Sequence, residues 1–411
     1  MLQQIENIKH LKNMCFNFFE NNGYLLSPEE PIVPLIDRSV LYTNSAIIPF
    51  KPMILSKNIP VHPLFILQEC IRLHETKYTP QADYFLQRMS CFSMFGVFAP
   101  MNTLRKACHD MIKLLLEVLK VPQNKLVFHV ASKDKIYWES LVEHDVIILI
   151  DKTPPDDYQW GYGLPNVIGR GINIGILPEG KCIEDIHCVD DIDIGQIIIL
   201  EEKGAPICFE IALGVEAFLW RNSNALSPFA HSEIASFIPY RYEPLYMQLM
   251  DSIVLSTVFY GNSVDLHSGI SGALTNKGKN RLSSVRKAVK NVAEIYELIK
   301  PNFDLRSVVL EYAHYRNFKP ERISRLLASI ETSTADYRQR ENKLMQYSRT
   351  CAHDVLSNKI SCAEAYDKLK NKALKKYNLF PLNIRSSLTY FHTILDKYSE
   401  NNRMVKHDIV N

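Results

Sequence analysis

The sequence predicts an α+β fold, in which an antiparallel sheet flanked by helices is followed by an all-α region. Short apolar runs of strand length fill roughly the first 240 residues. Most of these runs are separated by turns of hairpin length, which favours antiparallel neighbours over a doubly wound parallel sheet. After residue 240 strand patterns disappear and stretches with helical spacing follow one another. We therefore predict one domain over 1–240, a helical domain over 241–400 and a flexible tail over 401–411.

The individual elements follow from apolar spacing. Apolar residues lie three to four apart from Ile5 to Phe19, which predicts an amphipathic helix that ends at Asn22-Gly23. A second clear helical period covers 102–120. The strand candidates are the apolar runs 64–73, 87–98, 125–131, 146–150, 171–177, 196–202 and 205–212.

Composition excludes several classes of protein. The 411 residues carry a net charge of +2, so any nucleic-acid contact requires a local basic patch. The nine cysteines include no CxxC pair, which argues against a disulfide framework and favours the cytoplasm. The segment 182–188 contains two cysteines and a histidine, but their spacing matches no zinc pattern, so we predict no metal site built from these residues. Apolar runs fall short of the ~18 residues of a membrane span.

Ordered segments carry a resemblance to a known family. The chain reads "TNSAIIPFK" over 43–51, "QECIR" over 68–72 and "FSMFGVF" over 92–98. Together these resemble motifs 1 and 2 of alanyl-tRNA synthetase, a class II aminoacyl-tRNA synthetase. The segment 209–220, "FEIALGVEAFLW", resembles the third motif, and 250–291 resembles the helical tRNA-binding region of that family.

The resemblance implies a class II synthetase-like catalytic domain over 1–240 and a tRNA-binding-like helical domain over 241–400. It covers the catalytic core without the family's editing domain. It also implies ATP and Mg²⁺ as cofactors, a small amino acid as substrate, and tRNA or a small molecule as acceptor. By the same resemblance, we expect a monomer or a weak dimer.

The resemblance assigns the nucleotide contacts. Arg72 matches the motif 2 arginine, whose planar guanidinium binds the α-phosphate. Phe92 matches the phenylalanine that stacks on adenine, and Met94 shares its face of the strand. The alternatives are a surface arginine on an edge strand and ordinary core packing of the two apolar side chains.

The amino-acid pocket is expected to be rebuilt. Glu210 replaces the family aspartate that pairs with the substrate ammonium, and its side chain is one methylene longer. Trp160 matches the tryptophan wall of the pocket, although a buried structural tryptophan is an equal alternative. The segment "GLPNVIGRGINIGI" over 163–176 has no acidic residue. Its "GRG" triplet could form a phosphate loop, but a hairpin pinched by glycine explains it better.

The third motif departs from the family pattern at one position. Ala217 stands where the family carries the arginine that contacts the γ-phosphate of ATP. Arg221 lies one turn later on the same helix face and is the candidate to replace that arginine. Glu216 is kept, and it is predicted to hold magnesium or to order Arg72. The alternative is that this helix is only structural.

A basic stretch follows in the helical region. It has no acidic residue over 275–290 and resembles the acceptor-stem-binding part of the family, which predicts phosphate contacts. A solvated helix face is the alternative. The candidate tRNA-binding residues are Lys277, Lys279, Arg281, Arg286, Lys287 and Lys290.

Two functional hypotheses follow. The first is a ligase that activates alanine or a similar small amino acid with ATP and transfers it to tRNA or to a non-tRNA acceptor. A core without editing favours specialised metabolism over bulk translation. The second is a paralogue that binds aminoacyl-tRNA or tRNA, or regulates another enzyme, and has lost ATP activation because of Ala217.

Overall fold

The computed structural model describes residues 3–37, 39–73, 87–142, 146–151, 158–186, 192–223, 225–266 and 276–408. Within these ranges, a mixed sheet of nine strands is flanked by helices and followed by a helical region, so the predicted α+β class is confirmed. The strands are β1 Leu25–Leu26, β2 Leu64–Ile71, β3 Cys91–Pro100, β4 Leu126–Ala131, β5 Ile147–Asp151, β6 Gln159–Gly161, β7 Val167–Ile176, β8 Asp193–Glu202 and β9 Ala205–Gly214.

The sheet is less uniform than the sequence predicts. Its strand order is β1-β2-β3-β9-β8-β7-β4-β5, with β6 paired to β7. Six of the pairings among the described strands are antiparallel. The β1–β2 and β4–β5 pairings are parallel, because long connections return the chain to the end of the sheet at which the first strand began. The expected antiparallel hairpin is confirmed for β8–β9 and is wrong for β4–β5.

Helices pack on both faces of the sheet, and the described part of the C-terminal region is helical. The last helix reaches Asp408, within the segment predicted to be a flexible tail, and the division into domains stays a prediction. The longer helices and those that matter for the site are α1 Gln3–Asn21, α2 Lys51–Ser56, α3 Leu104–Lys113, α4 Lys135–Glu139, α5 Val215–Arg221, α6 Pro244–Gly261, α7 Asn276–Ile299, α8 Leu305–Tyr315, α9 Pro320–Leu356, α10 Cys362–Asn371 and α11 Pro381–Asp408.

The two faces of the sheet pack against different parts of the protein, because successive side chains of a strand point to opposite faces. Phe65 and Phe95 lie on the first face, in a core shared with α1 and α3. Met94 and Phe98 lie on the second face, beneath the segment 46–54, which includes α2. This second face is the one that continues into an open cleft.

Polar contacts join the sheet to the helical region. Asp251 of α6 accepts hydrogen bonds from the backbone N and the Oγ of Ser90, at 2.7 and 2.5 Å. Arg316, just after α8, pairs with Glu69 of β2 at 2.5 Å and with Glu233 at 3.2 Å. These contacts fix the helical region beside the ends of β2 and β3. Across the described ranges, the helices are too short or too polar to span a membrane.

Candidate nucleotide and amino-acid site

A cleft of about 270 Å³ opens on the second face of the sheet, where β8 begins and β9 runs into α5. Such clefts, with a few polar groups among apolar walls, are the usual place for small-molecule binding. The side chains predicted to contact ATP converge on this cleft. Its lining includes Arg72, Phe92, Met94, Glu216, Ala217 and Arg221.

Arg72 is held in place from both neighbouring segments. Its backbone N donates to Ser90 O at 2.9 Å, and its Nε donates to Asn44 O at 3.0 Å. The guanidinium carbon lies 5.1 Å from the centroid of the Phe92 ring, which is within the range of a cation–π contact. Arg72 and Phe92 therefore form one paired surface at the wall of the cleft.

Glu216 is tied to the sheet. Its Oε2 accepts a hydrogen bond from the backbone N of Ser93 at 2.9 Å, and the residue is 7% exposed. Burial raises the pKa of this carboxyl to about 7. The contact fixes the start of α5 against β3. The ordering of Arg72 and the binding of magnesium by Glu216 stay predictions.

Ala217 and Arg221 both line the cleft, as expected for positions four apart on a helix. The methyl group of Ala217 offers no charge to a phosphate. The guanidinium carbon of Arg221 lies 3.5 Å from the centroid of the Trp220 ring, so a cation–π contact with this ring positions the guanidinium. Together with Arg72 and Arg88, Arg221 gives the lining of the cleft three guanidinium groups despite the alanine.

Glu210 lies behind the cleft, outside its lining. It belongs to β9, in register with Phe98 of β3 and Ile198 of β8, and it is 4% exposed. Its Oε1 accepts a hydrogen bond from the hydroxyl of Tyr162. Burial raises the pKa of the Glu210 carboxyl to about 7. The predicted pairing with an ammonium therefore concerns a carboxylate that already has a partner.

Trp160 is half-buried on β6, opposite Gly169 of β7, and packs against the core of the second face. It does not line the cleft, and its role as a pocket wall stays a prediction. The "GRG" triplet is part of β7, which pairs with β8 as a hairpin, and not a loop around a phosphate. A Cβ at Gly171 would overlap the backbone of Ile197, so close strand packing requires this glycine.

The basic residues of α7 do not all share one role. Lys279, Arg286 and Lys287 are exposed. Arg281 is half-buried and its Nε donates to Leu41 O at 2.9 Å, while Lys290 lies 3.6 Å from the buried carboxylate of Glu294. The side chain of Lys277, like His187 and Cys188 of the segment 182–188, lies outside the described residues.

Sequence reasoning missed several residues in and near the site, among them Arg88 in the lining of the cleft. Asp193 and Gln196 of β8 line the cleft, and Tyr162 contacts Glu210. Lys51 forms a buried ion pair with Asp37 at 2.6 Å. Acidic residues directly before the apolar run of β8 were a usable signal for Asp193. No local pattern identifies Tyr162, because its partner lies 48 positions away.

The cleft also fits the expected magnesium ion. No group of three or more acidic, histidine or cysteine side chains that could hold a metal occurs among the described residues. Mg²⁺ is usually bound by one or two carboxylates together with substrate phosphates. Asp193 and Glu216 are the two carboxylates in the described lining of the cleft, and they fit that pattern.

Comparisons with known proteins agree with the resemblance. The family described as "tRNA synthetases class II (A)" matches residues 10–165. An alanine–tRNA ligase of Flavobacterium psychrophilum is 28% identical over 159 residues, covering 35% of this chain and 18% of that ligase. One from Nitrosospira multiformis is 30% identical over 132 residues, covering 30% and 15%. One from Rhizobium johnstonii is 26% identical over 197 residues, covering 43% and 22%.

Two solved structures show a broad likeness. An asparaginyl-tRNA synthetase of Pyrococcus horikoshii, complexed with asparaginyl-adenylate, has a TM-score of 0.34 at 11% identity, covering 56% of this chain and 68% of that one. A threonyl-tRNA synthetase of Aeropyrum pernix has a TM-score of 0.33 at 13% identity, covering 69% and 74%. The matched region spans less than a quarter of the length of the three alanine–tRNA ligases. Over part of its length the chain is therefore similar to the alanine–tRNA ligases and to the class II tRNA synthetase family.

Proposed function

We propose that the chain is an ATP-dependent ligase that activates alanine or a similar small amino acid as its adenylate. It then passes the aminoacyl group to tRNA or to a small non-tRNA acceptor. The observation that supports this best is the convergence of Arg72, Phe92 and Arg221 on one cleft. An aromatic ring and two guanidinium groups are the chemistry that binds a base and a polyphosphate.

In this proposal each group has a distinct task. Arg72 binds the α-phosphate and stabilises the negative charge that grows on it during the reaction. The substrate carboxylate oxygen attacks the α-phosphorus, the bond to the bridging oxygen breaks, and pyrophosphate leaves. Arg221 binds the outer phosphates in place of the missing arginine at Ala217. Asp193 and Glu216 would hold the magnesium ion, which neutralises phosphate charge when bound.

The exposed part of the basic stretch is assigned to the acceptor. Lys279, Arg286 and Lys287 present three cations on one helix, which suits an RNA backbone. Arg281 and Lys290 are half-buried, and they contact Leu41 O and Glu294, so we assign them to positioning the helix.

The test is the binding of a non-hydrolysable alanyl-adenylate analogue to Arg72→Ala. The matched control is Arg105→Ala, which removes an exposed arginine of α3. We expect a loss of affinity of about 100-fold in the first variant, because charge-assisted bonds to a phosphate are strong, and no loss in the control. Equal affinity in both variants, with the fold retained by circular dichroism, would remove Arg72 from the site.

A second candidate is a paralogue that binds nucleotide or RNA without activating an amino acid. It is favoured by Ala217 and by the Glu210 carboxylate, which is already bonded to Tyr162. Calorimetry with ATP and a pyrophosphate-exchange assay separate the two candidates. ATP binding without exchange for any of the twenty amino acids would support the second.

A further inference from the structure

Tyr162 and Glu210 form a buried hydrogen-bonded pair beside the cleft. The tyrosine is 7% exposed and the glutamate 4%. In the part of the chain that the structure describes, the Tyr162 hydroxyl donates to no group other than Glu210 Oε1. The carboxylate that the family resemblance assigns to the substrate ammonium is therefore hydrogen-bonded to a side chain of the protein itself.

Gly169 makes this arrangement possible. A Cβ added at Gly169 would lie 2.6 Å from Cε2 of Tyr162 and 3.1 Å from its hydroxyl. The tyrosine ring thus occupies the space that a side chain at position 169 would need, and its hydroxyl reaches Glu210 of β9. Any larger residue at position 169 would displace the ring.

A row of apolar groups separates the pair from the cleft. Ala212 of β9 lines the cleft, and Glu210 is the next residue on the same face, about 7 Å further along the strand. Met94 and Ala46 cover this row, and both are nearly fully buried. An ammonium in the cleft reaches Glu210 only if this region opens.

We propose that Tyr162 sets the affinity of the site for amino acids, because its hydroxyl competes with the substrate ammonium for the Glu210 carboxylate. This inference rests on the proposed ligase function. The Tyr162 hydroxyl holds Oε1 of Glu210, so an ammonium that binds this oxygen must displace the hydroxyl, and the resident hydrogen bond weakens the binding of every amino acid. Tyr162 acts on the ammonium through Glu210 and takes no part in the attack on phosphorus.

The test compares Tyr162→Phe with the wild-type chain in two assays. The first measures KM and kcat for alanine, glycine and serine in ATP–pyrophosphate exchange. The second measures the Kd of alanine by calorimetry in the presence of a non-hydrolysable ATP analogue. We expect KM and Kd to fall about tenfold with kcat unchanged, since a hydrogen bond to a charged group no longer has to be broken.

Three further variants make the test specific. Gly169→Ala displaces the tyrosine ring and is expected to lower KM in the same direction. Tyr296→Phe is the matched control, because it removes a hydroxyl that donates to Phe303 O far from the site. In the Glu210→Gln background, Tyr162→Phe is expected to give no gain, because the carboxylate that the ammonium seeks is gone.

The outcomes separate this inference from the proposed function. Unchanged KM and Kd in Tyr162→Phe, or a gain that persists in Glu210→Gln, would overturn the role of Tyr162. Tighter alanine binding in Tyr162→Phe without exchange in any variant would support that role and reject the ligase. No binding of alanine by any variant would reject both.

Discussion

The buried carboxyl of Glu216 predicts an unusual dependence of stability on pH. Burial raises its pKa from 4.5 to about 7 in the folded protein. The folded chain therefore holds a proton that the unfolded chain loses between these two values, and stability falls as pH rises through that window. Since one pKa unit corresponds to about 1.4 kcal/mol, the full effect is on the order of 3 kcal/mol.

Glu216→Gln isolates this effect. The amide oxygen of glutamine still accepts the hydrogen bond from Ser93 N but carries no charge at any pH. We expect the variant and the wild-type chain to unfold with similar free energies below pH 4.5. Above pH 7 the variant should be more stable by about 3 kcal/mol. The exposed Glu311→Gln serves as the matched control, with no such gain.

The assay is urea unfolding followed by circular dichroism at pH 4.5, 6, 7 and 8. The wild-type chain should lose stability with a slope approaching 1.4 kcal/mol per pH unit from this residue alone. Glu210 adds a contribution of the same sign, because its pKa is also raised to about 7. A variant that is equally or less stable than the wild-type chain at pH 8 would refute the reasoning.

Three other predictions concern charged groups. Arg221→Ala should weaken ATP binding about tenfold in calorimetry, and unchanged affinity would show that Arg221 does not replace the missing arginine of motif 3. Arg316→Ala should lower the free energy of unfolding by about 3 kcal/mol, because two partly buried carboxylates lose their partner. Urea titrations that show no measurable loss of stability would contradict this. The exposed cations of α7 are Lys279, Arg286 and Lys287. Neutralising all three should reduce the slope of log K for tRNA binding against log salt concentration by about 2 to 3. An unaltered slope would indicate a solvated helix face.

The sequence predicted most strands of the sheet because their apolar runs are long and bounded by turns. The runs 125–131 and 205–212 coincide closely with β4 and β9. Strand direction was harder to predict. The parallel pairing of β1 with β2 depends on a long connection that brings the chain back to the end at which β1 began. Apolar spacing carries no information about the path of such a connection.

The candidate site, like the sheet, could be predicted only in part. Arg72, Phe92 and Arg221, which the family resemblance and helix spacing singled out, line one cleft, and their roles there stay predictions. The position of Glu210 behind that cleft could not be predicted. It depends on Tyr162, which reaches the carboxylate only because Gly169 leaves the surface of β7 bare. Contacts of this kind link distant positions through backbone proximity and leave no local signature.

The measurement that tests the central claim most directly is amino-acid-dependent ATP–pyrophosphate exchange. It would be run with all twenty amino acids, with and without total tRNA, for the wild-type chain and Arg72→Ala. The proposed ligase predicts exchange with alanine or another small amino acid, and its loss in the variant. Exchange with none of the amino acids, from a folded chain that binds ATP, would contradict it.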